Sequence, residues 1–108
     1  MFDSIVFIDG YVRLEVESIG SKIRFTIRTE MGGVIQTELL LSQSQQVIRK
    51  LEQKQSAELL GLEGEIISFA PLNGNYLAVD IKGRSKKDGF VLTPEQAQGV
   101  IKFCGRSI

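Results

Sequence analysis

Apolar and polar residues alternate along most of this chain, and they do so twice in the same order. From Val12 the sequence reads VRLEVESIGSKIRFTIR and then LLLSQSQQVIRKL; from Ile66 it reads IISFAPLNGNYLAVDIK and then FVLTPEQAQGVIKF. A period of two sends alternate side chains to opposite faces of a strand, whereas apolar residues three and four apart mark one face of a helix. Each half therefore predicts alternating strands joined at a glycine turn, followed by a capped amphipathic helix. Aligning Gly20 with Gly74 sets Ile23, Phe25, Ile27 and Arg28 over Leu77, Val79, Ile81 and Lys82. Each half is too small to bury a core alone, so the repeat implies two units closing on one another.

In the first half, residues 4–8 (SIVFI) and the following Asp9-Gly10 predict a strand and a hairpin turn. Strands over 11–18 and 22–29 flank Gly20-Ser21, and a fourth over 34–41 follows Gly32-Gly33. Ser42-Gln43-Ser44-Gln45 has the form of a capping box, with Ser42 as N-cap and Gln45 reaching back. The helix carries Val47, Ile48 and Leu51 on one face. It runs to Leu60, where Gly61 can stop it, or breaks near residue 56 at the polar run EQKQS.

In the second half, a strand over 65–71 leads to Asn73-Gly74, and 75–83 alternates Leu77, Val79 and Ile81 against Tyr76, Ala78, Asp80 and Lys82. A basic loop from Gly83 to Gly89 precedes a strand over 89–92 and a second capping box, Thr93-Pro94-Glu95-Gln96, with proline at its favoured first helical position. Four strands are expected before the first helix and three before the second. The expected fold is α+β: a single domain, residues 1–108, made of half-repeats 1–60 and 61–108 with pseudo-twofold symmetry. Each helix would pack on the opposite unit and bury Val47, Ile48, Leu51, Val100, Ile101 and Phe103. Exposed helix surface or edge strands would then serve a homodimer or higher homo-oligomer.

Composition narrows the class. Hydrophobic residues at 43% and charged residues at 24% are those of an ordinary soluble domain. No apolar run approaches the ~20 residues of a membrane span, and the opening MFDSIVFIDG lacks a basic region and a cleavage site, so a cytoplasmic protein is expected. The lone Cys104 falls at helical spacing with Ala97, Val100 and Ile101 and reads as a buried structural thiol. With no histidine and one cysteine, neither a transition-metal site nor a cofactor is expected. Ser42, Ser44 and Thr93 read as helix caps, and Asp3, Asp9, Glu15, Glu17, Glu30 and Glu38 form no recognisable acid/base pair, so the expectation is a binding protein and not an enzyme.

Thirteen basic and thirteen acidic residues cancel, so any affinity for anions must come from local segregation of charge. The outward row Lys22, Arg24, Arg28 supplies it in the first half, and Lys82, Arg84, Lys86, Lys87 in the second. Three cations on one strand make a stripe ~20 Å long at ~3.3 Å rise per residue. Tyr11, Arg13 and Tyr76 would project from neighbouring strands, and aromatics among cations suit stacking of unpaired bases beside phosphate contacts. The same alternation is also that of a plain solvated face, interrupted by Glu15, Glu17 and Asp80. The basic loop is not a P-loop, for it lacks that glycine spacing and the Lys-Ser/Thr that follows it.

The stretch from Ile66 to Phe103, with its hairpin, NYLAVDIKGR strand, basic loop, GFVLTPEQ and amphipathic helix, resembles the transcriptional coactivator positive cofactor four. Ala97 stands where that family usually has an aromatic residue. Two such units in one chain resemble the purine-rich-element-binding (PUR) repeat and the plant Whirly proteins. The resemblance implies two four-strands-then-helix units and sequence-tolerant binding of single-stranded DNA or RNA, in transcription, replication or recombination. Phosphates would then meet Lys22, Arg24, Arg28, Lys82, Arg84, Lys86 and Lys87, with Arg13 beside them and bases on Tyr11 and Tyr76. The alternative is a small dimeric protein-interaction or regulatory module without nucleic-acid binding.

Overall fold

The computed structural model describes residues 3–106. Its elements run β1 (Asp3–Asp9), β2 (Val12–Ile19), β3 (Lys22–Thr29), β4 (Val34–Leu40), α1 (Leu41–Glu52), β5 (Ala57–Leu60), β6 (Ile66–Pro71), a 3-10 turn (Asn73–Asn75), β7 (Leu77–Lys82), β8 (Lys87–Leu92) and α2 (Pro94–Arg106). Strands β1–β4 form one antiparallel meander and β5–β8 a second, each followed by a helix. The fold is thus α+β with the same order used twice. Gly20 and Gly74, both at positive φ, each precede the third strand of their sheet, which is why the two halves align there.

Alternation decides which face of each sheet is buried. Leu14 and Val16, Ile23, Phe25 and Ile27, and Ile35 and Leu39 point inward from the first sheet. Ile67 and Phe69, Leu77, Val79 and Ile81, and Phe90 and Leu92 answer from the second. The two sets meet at Phe25 and Phe69, whose rings stand 5.6 Å apart at 73° in an edge-to-face contact. Both helices close on this point. A cavity of only about 10 Å³ between them is walled by Phe25, Leu39, Ser44, Val47, Phe69, Val100 and Cys104.

Each helix reaches across to the other unit as expected, α1 touching β5 and β6, and α2 touching β1, while both also contact their own sheets and each other. Val47, Val100 and Phe103 are buried; Ile48, Leu51 and Ile101 are half-buried. Gly99 of α2 lies against β1, with Phe7 Cζ and Ile5 Cδ1 at 3.6 and 3.7 Å from where a β-carbon would stand.

The first helix differs from expectation at both ends. It begins two residues early, with Leu40 as N-cap, and Gln43 Oε1 accepts the Leu40 N–H at 2.9 Å. Gln43 Nε2 also donates to the Leu60 carbonyl at 3.2 Å, tying the helix start to β5. Ser42 and Ser44 therefore lie inside the helix, and Ser44 is buried with its hydroxyl unpartnered among the described residues. The second box is as expected: Thr93 N–H donates to Gln96 Oε1 at 3.0 Å, and Gln96 N–H to Thr93 Oγ1 at 3.3 Å.

The helix ends at Glu52, without a glycine. Lys54, at φ 58°, occupies the left-handed position, with its N–H bonded to Leu51 O at 3.0 Å and that of Gln55 to Lys50 O at 2.8 Å. This is a Schellman motif, which releases the chain early enough for a further strand. Residues 57–60, expected at the end of the first unit, are instead β5, the first strand of the second sheet. Both sheets consequently have four strands. Gly61 then turns the chain, its N–H donating to Glu65 O at 2.6 Å, while Leu62 N–H covers the edge of β4 by donating to Glu38 O at 2.9 Å.

Two substitutions test these junctions. Lys54→Gly should raise stability by up to about 1 kcal/mol in urea unfolding, because glycine meets no steric penalty at positive φ. Gly61→Ala should lower it by roughly 1–3 kcal/mol, since the added carbon would overlap the buried Thr37 Oγ1.

Candidate nucleic-acid interface

Burial of one face leaves the other to carry chemistry. On the outer face of the first sheet, register sets Arg13 against Arg28, Glu15 against Thr26, and Glu17 against Arg24. Across β3, Arg24 faces Glu38 and Thr26 faces Gln36. The expected row Lys22, Arg24, Arg28 is therefore present, but it runs between two strands that carry carboxylates.

Those carboxylates pair with it. Glu38 takes Arg24 at 2.9 Å and Lys22 at 3.9 Å, and Glu15 takes Arg13 at 3.3 Å and Arg28 at 3.4 Å. Arg24 Nε adds a hydrogen bond to Glu38 Oε2 at 3.0 Å. Four cations (Arg13, Lys22, Arg24, Arg28) thus stand among three carboxylates (Glu15, Glu17, Glu38) on this face. Thr26, between them, is buried at 1% exposure although it points away from the core.

The second sheet differs. Lys82 and Lys87 are register partners at one end of its outer face, and Arg84 and Lys86 lie in the turn that joins β7 to β8. All four are exposed, and none has a carboxylate within ion-pair distance among the described residues. The turn is closed by Gly83 N–H donating to Lys86 O at 2.8 Å. Beside Lys82 in the same register line lie Ile66 and then Leu60, both exposed. Gly89 leaves room there for the Asp80 carboxylate on the neighbouring strand, with which a side chain would collide.

The two basic regions meet at one end of the molecule. Glu30 N–H donates to Tyr11 O at 2.9 Å, joining the β1–β2 turn to the β3–β4 turn. Gly33 of the latter approaches Asp88, and Gly83 approaches Ile35, whose Cδ1 would stand 3.5 Å from a β-carbon there. Tyr11 (77% exposed), Arg13, Arg28, Arg84, Lys86 and Lys87 consequently gather at this end. Lys22 and Arg24 sit toward the opposite end of the first sheet.

Alternation puts Tyr76 on the face of Lys82, but the residue instead closes the loop before β7, with Leu72 N–H donating to its carbonyl at 2.8 Å. Its ring lies over Gly74 and lines a groove of about 570 Å³ between that loop, the end of α1 and α2. It is thus at the far end of β7 from Lys82. Glu15 reads in the sequence as an interruption of the basic row, but Glu38 as the partner of Lys22 and Arg24, and the apolar pair Leu60 and Ile66, do not. Alternation on β4, which turns Glu38 outward, was the available signal for the former.

Cys104 is buried in α2, and burial pushes its thiol up from 9.0 to about 12. No described helix is long and apolar enough to cross a membrane.

No family model matches the chain, and no curated protein matches it. A crystal structure of MRP1/MRP2 from Trypanosoma brucei is similar in fold, with a TM-score of 0.74 over 98% of this chain and 82% of that one, at 9% identity. The likeness extends over both sheets and both helices and is one of architecture.

The Cys104 shift has a readable consequence. The folded thiol keeps its proton to about pH 12, whereas the unfolded one loses it near 9.0, so above that pH the unfolded state binds fewer protons. Stability contributed by the neutral thiol should be intact below pH 9 and fall as pH rises toward 12, by about 1.4 kcal/mol per unit. Urea unfolding of the native protein against Cys104→Ala should show a steeper alkaline fall in the former, the difference being the thiol's share.

Proposed function

We propose that this chain is a single-stranded DNA- or RNA-binding protein of the positive-cofactor-four, PUR and Whirly type, largely indifferent to sequence and acting by binding without catalysis. The observation that carries the reading is the cluster Lys82, Arg84, Lys86 and Lys87, four exposed cations with no carboxylate partner among the described residues. A phosphate approaching them displaces only water and counterions, whereas one approaching Arg24 must compete with Glu38 at 2.9 Å. Tyr11, exposed at the same end beside Arg13 and Arg28, offers a face for a base. Leu60 and Ile66 extend the second sheet's contact with apolar surface. The two-unit fold supports the reading as well, being the one the resemblance to those families implies.

A homodimer belongs to the same proposal. Strand β1 is outermost in its sheet and exposes Val6 and Ile8, apolar residues on a free edge.

Fluorescence anisotropy of a labelled single strand of about 30 nucleotides, at several salt concentrations, tests the reading. Affinity should fall linearly in a log–log plot, and four phosphate contacts would give a slope near about −2.8. The triple change Arg84→Ala, Lys86→Ala, Lys87→Ala should flatten that slope by about 2, while Arg24→Ala should weaken binding less than Arg84→Ala. An absence of binding at low salt would sink the reading.

A further inference from the structure

The groove that holds Tyr76 has the makings of a second contact. Its floor is apolar, made by Leu51 of α1, Leu77 of β7 and Ile101 of α2. Three side-chain amides border it, Asn73 and Asn75 from the turn and Gln98 from α2, and the Tyr76 ring forms a wall. Lys54 is the only charged residue among the described residues that line it, held there by the Schellman turn that ends α1. At about 570 Å³ it falls within the range of small-ligand sites.

Each feature selects a property of the occupant. An apolar floor with an aromatic wall takes a flat ring. Amides offer donor and acceptor side by side and so complement a ring whose edge carries both. A single cation, with no carboxylate in the lining, takes one anionic group. We infer that this groove binds one nucleoside monophosphate unit, with its base against Tyr76 and its phosphate at Lys54. The inference rests on the single-strand reading for its setting and deepens it: the unit is one nucleotide of a bound strand, turned into the groove. A free mononucleotide has the same chemistry, and the experiment separates the two.

The chain has two tyrosines and no tryptophan, so Tyr11→Phe leaves Tyr76 as its sole strong fluorophore. Titrating this variant with AMP, with correction for absorbed light, should give saturable quenching. Lys54→Asn, which tolerates the left-handed backbone, should raise the AMP dissociation constant by about threefold to tenfold. Adenosine should bind more weakly than AMP by a similar factor. Replacing Lys82, Arg84, Lys86 and Lys87 by alanine should leave the AMP response unchanged. Lack of quenching by both AMP and the single strand overturns the inference, as does equal affinity for adenosine and AMP. A strand that binds by anisotropy while neither it nor AMP quenches Tyr76 removes the groove and leaves the single-strand reading standing, whereas quenching by AMP alone makes the groove a site for a free mononucleotide. Quenching by AMP in a protein that binds no strand upholds the groove and removes that reading.

Discussion

The edge-on contact of Phe25 with Phe69 is where the two halves of the chain become one structure. Phe25 sits midway along β3 and Phe69 midway along β6, each on the inner face of its sheet. Neither four-stranded meander can bury that face by itself, and one helix of twelve or thirteen residues cannot cover it. The rings fill the gap between sheets, and Val47 from α1 and Val100 from α2 close around them. Truncating a buried phenylalanine typically costs about 3–5 kcal/mol against a total stability of about 5–15 kcal/mol, so the joint fold hangs on this contact.

With the inner faces committed to that core, charge is confined to outer faces and turns, and strand geometry then decides which charges stay available. A cation on an interior strand has a neighbour on each side. Arg24 on β3 lies between Glu17 and Glu38, and Arg28 lies close to Glu15. A cation at a hairpin tip has no flanking strand. Arg84 and Lys86, in the turn after β7, make no ion pair among the described residues for that reason, and Lys82 and Lys87 share the advantage because they pair with each other. The more regular basic pattern is thus the more neutralised one, and the irregular loop keeps its field.

Alternation made most of the fold legible, because period-two patterns specify both a strand and its buried face. Ile23, Phe25 and Ile27 are inward as read, as are Leu77, Val79 and Ile81. What escaped was set by backbone events with weak sequence marks. A Schellman turn built on Lys54 ended α1 without glycine, and four residues, Ala57–Leu60, were too few to announce β5. The α1 cap used Gln43 and the N–H of Leu40, leaving Ser42 and Ser44, the better capping residues, inside the helix. Tyr76 follows the alternation of β7 only on paper, because the strand begins at Leu77 and the turn before it breaks the pattern. In the site, residue identities were readable but partners were not, since a salt bridge across strands needs the register.

That difference between units also leaves a local positive field on a chain of zero net charge, which the proposed binding needs. The molecule measures 34 × 33 × 25 Å, while charges in physiological salt are screened beyond about 8 Å. A phosphate at the hairpin end would therefore respond to Lys82, Arg84, Lys86 and Lys87, offset in part by Asp88 beside Lys87 and by Glu65 near Gly83, and scarcely to carboxylates on the far side. Net charge governs solubility and distant encounter; contact is governed by charge within a screening length. The repeat supplies two units of one topology, and their unequal pairing of charges would make them unequal partners for the proposed strand. The second unit would hold phosphates through free cations, and the first would contribute mainly through Tyr11, Arg13 and Arg28 where the two units touch.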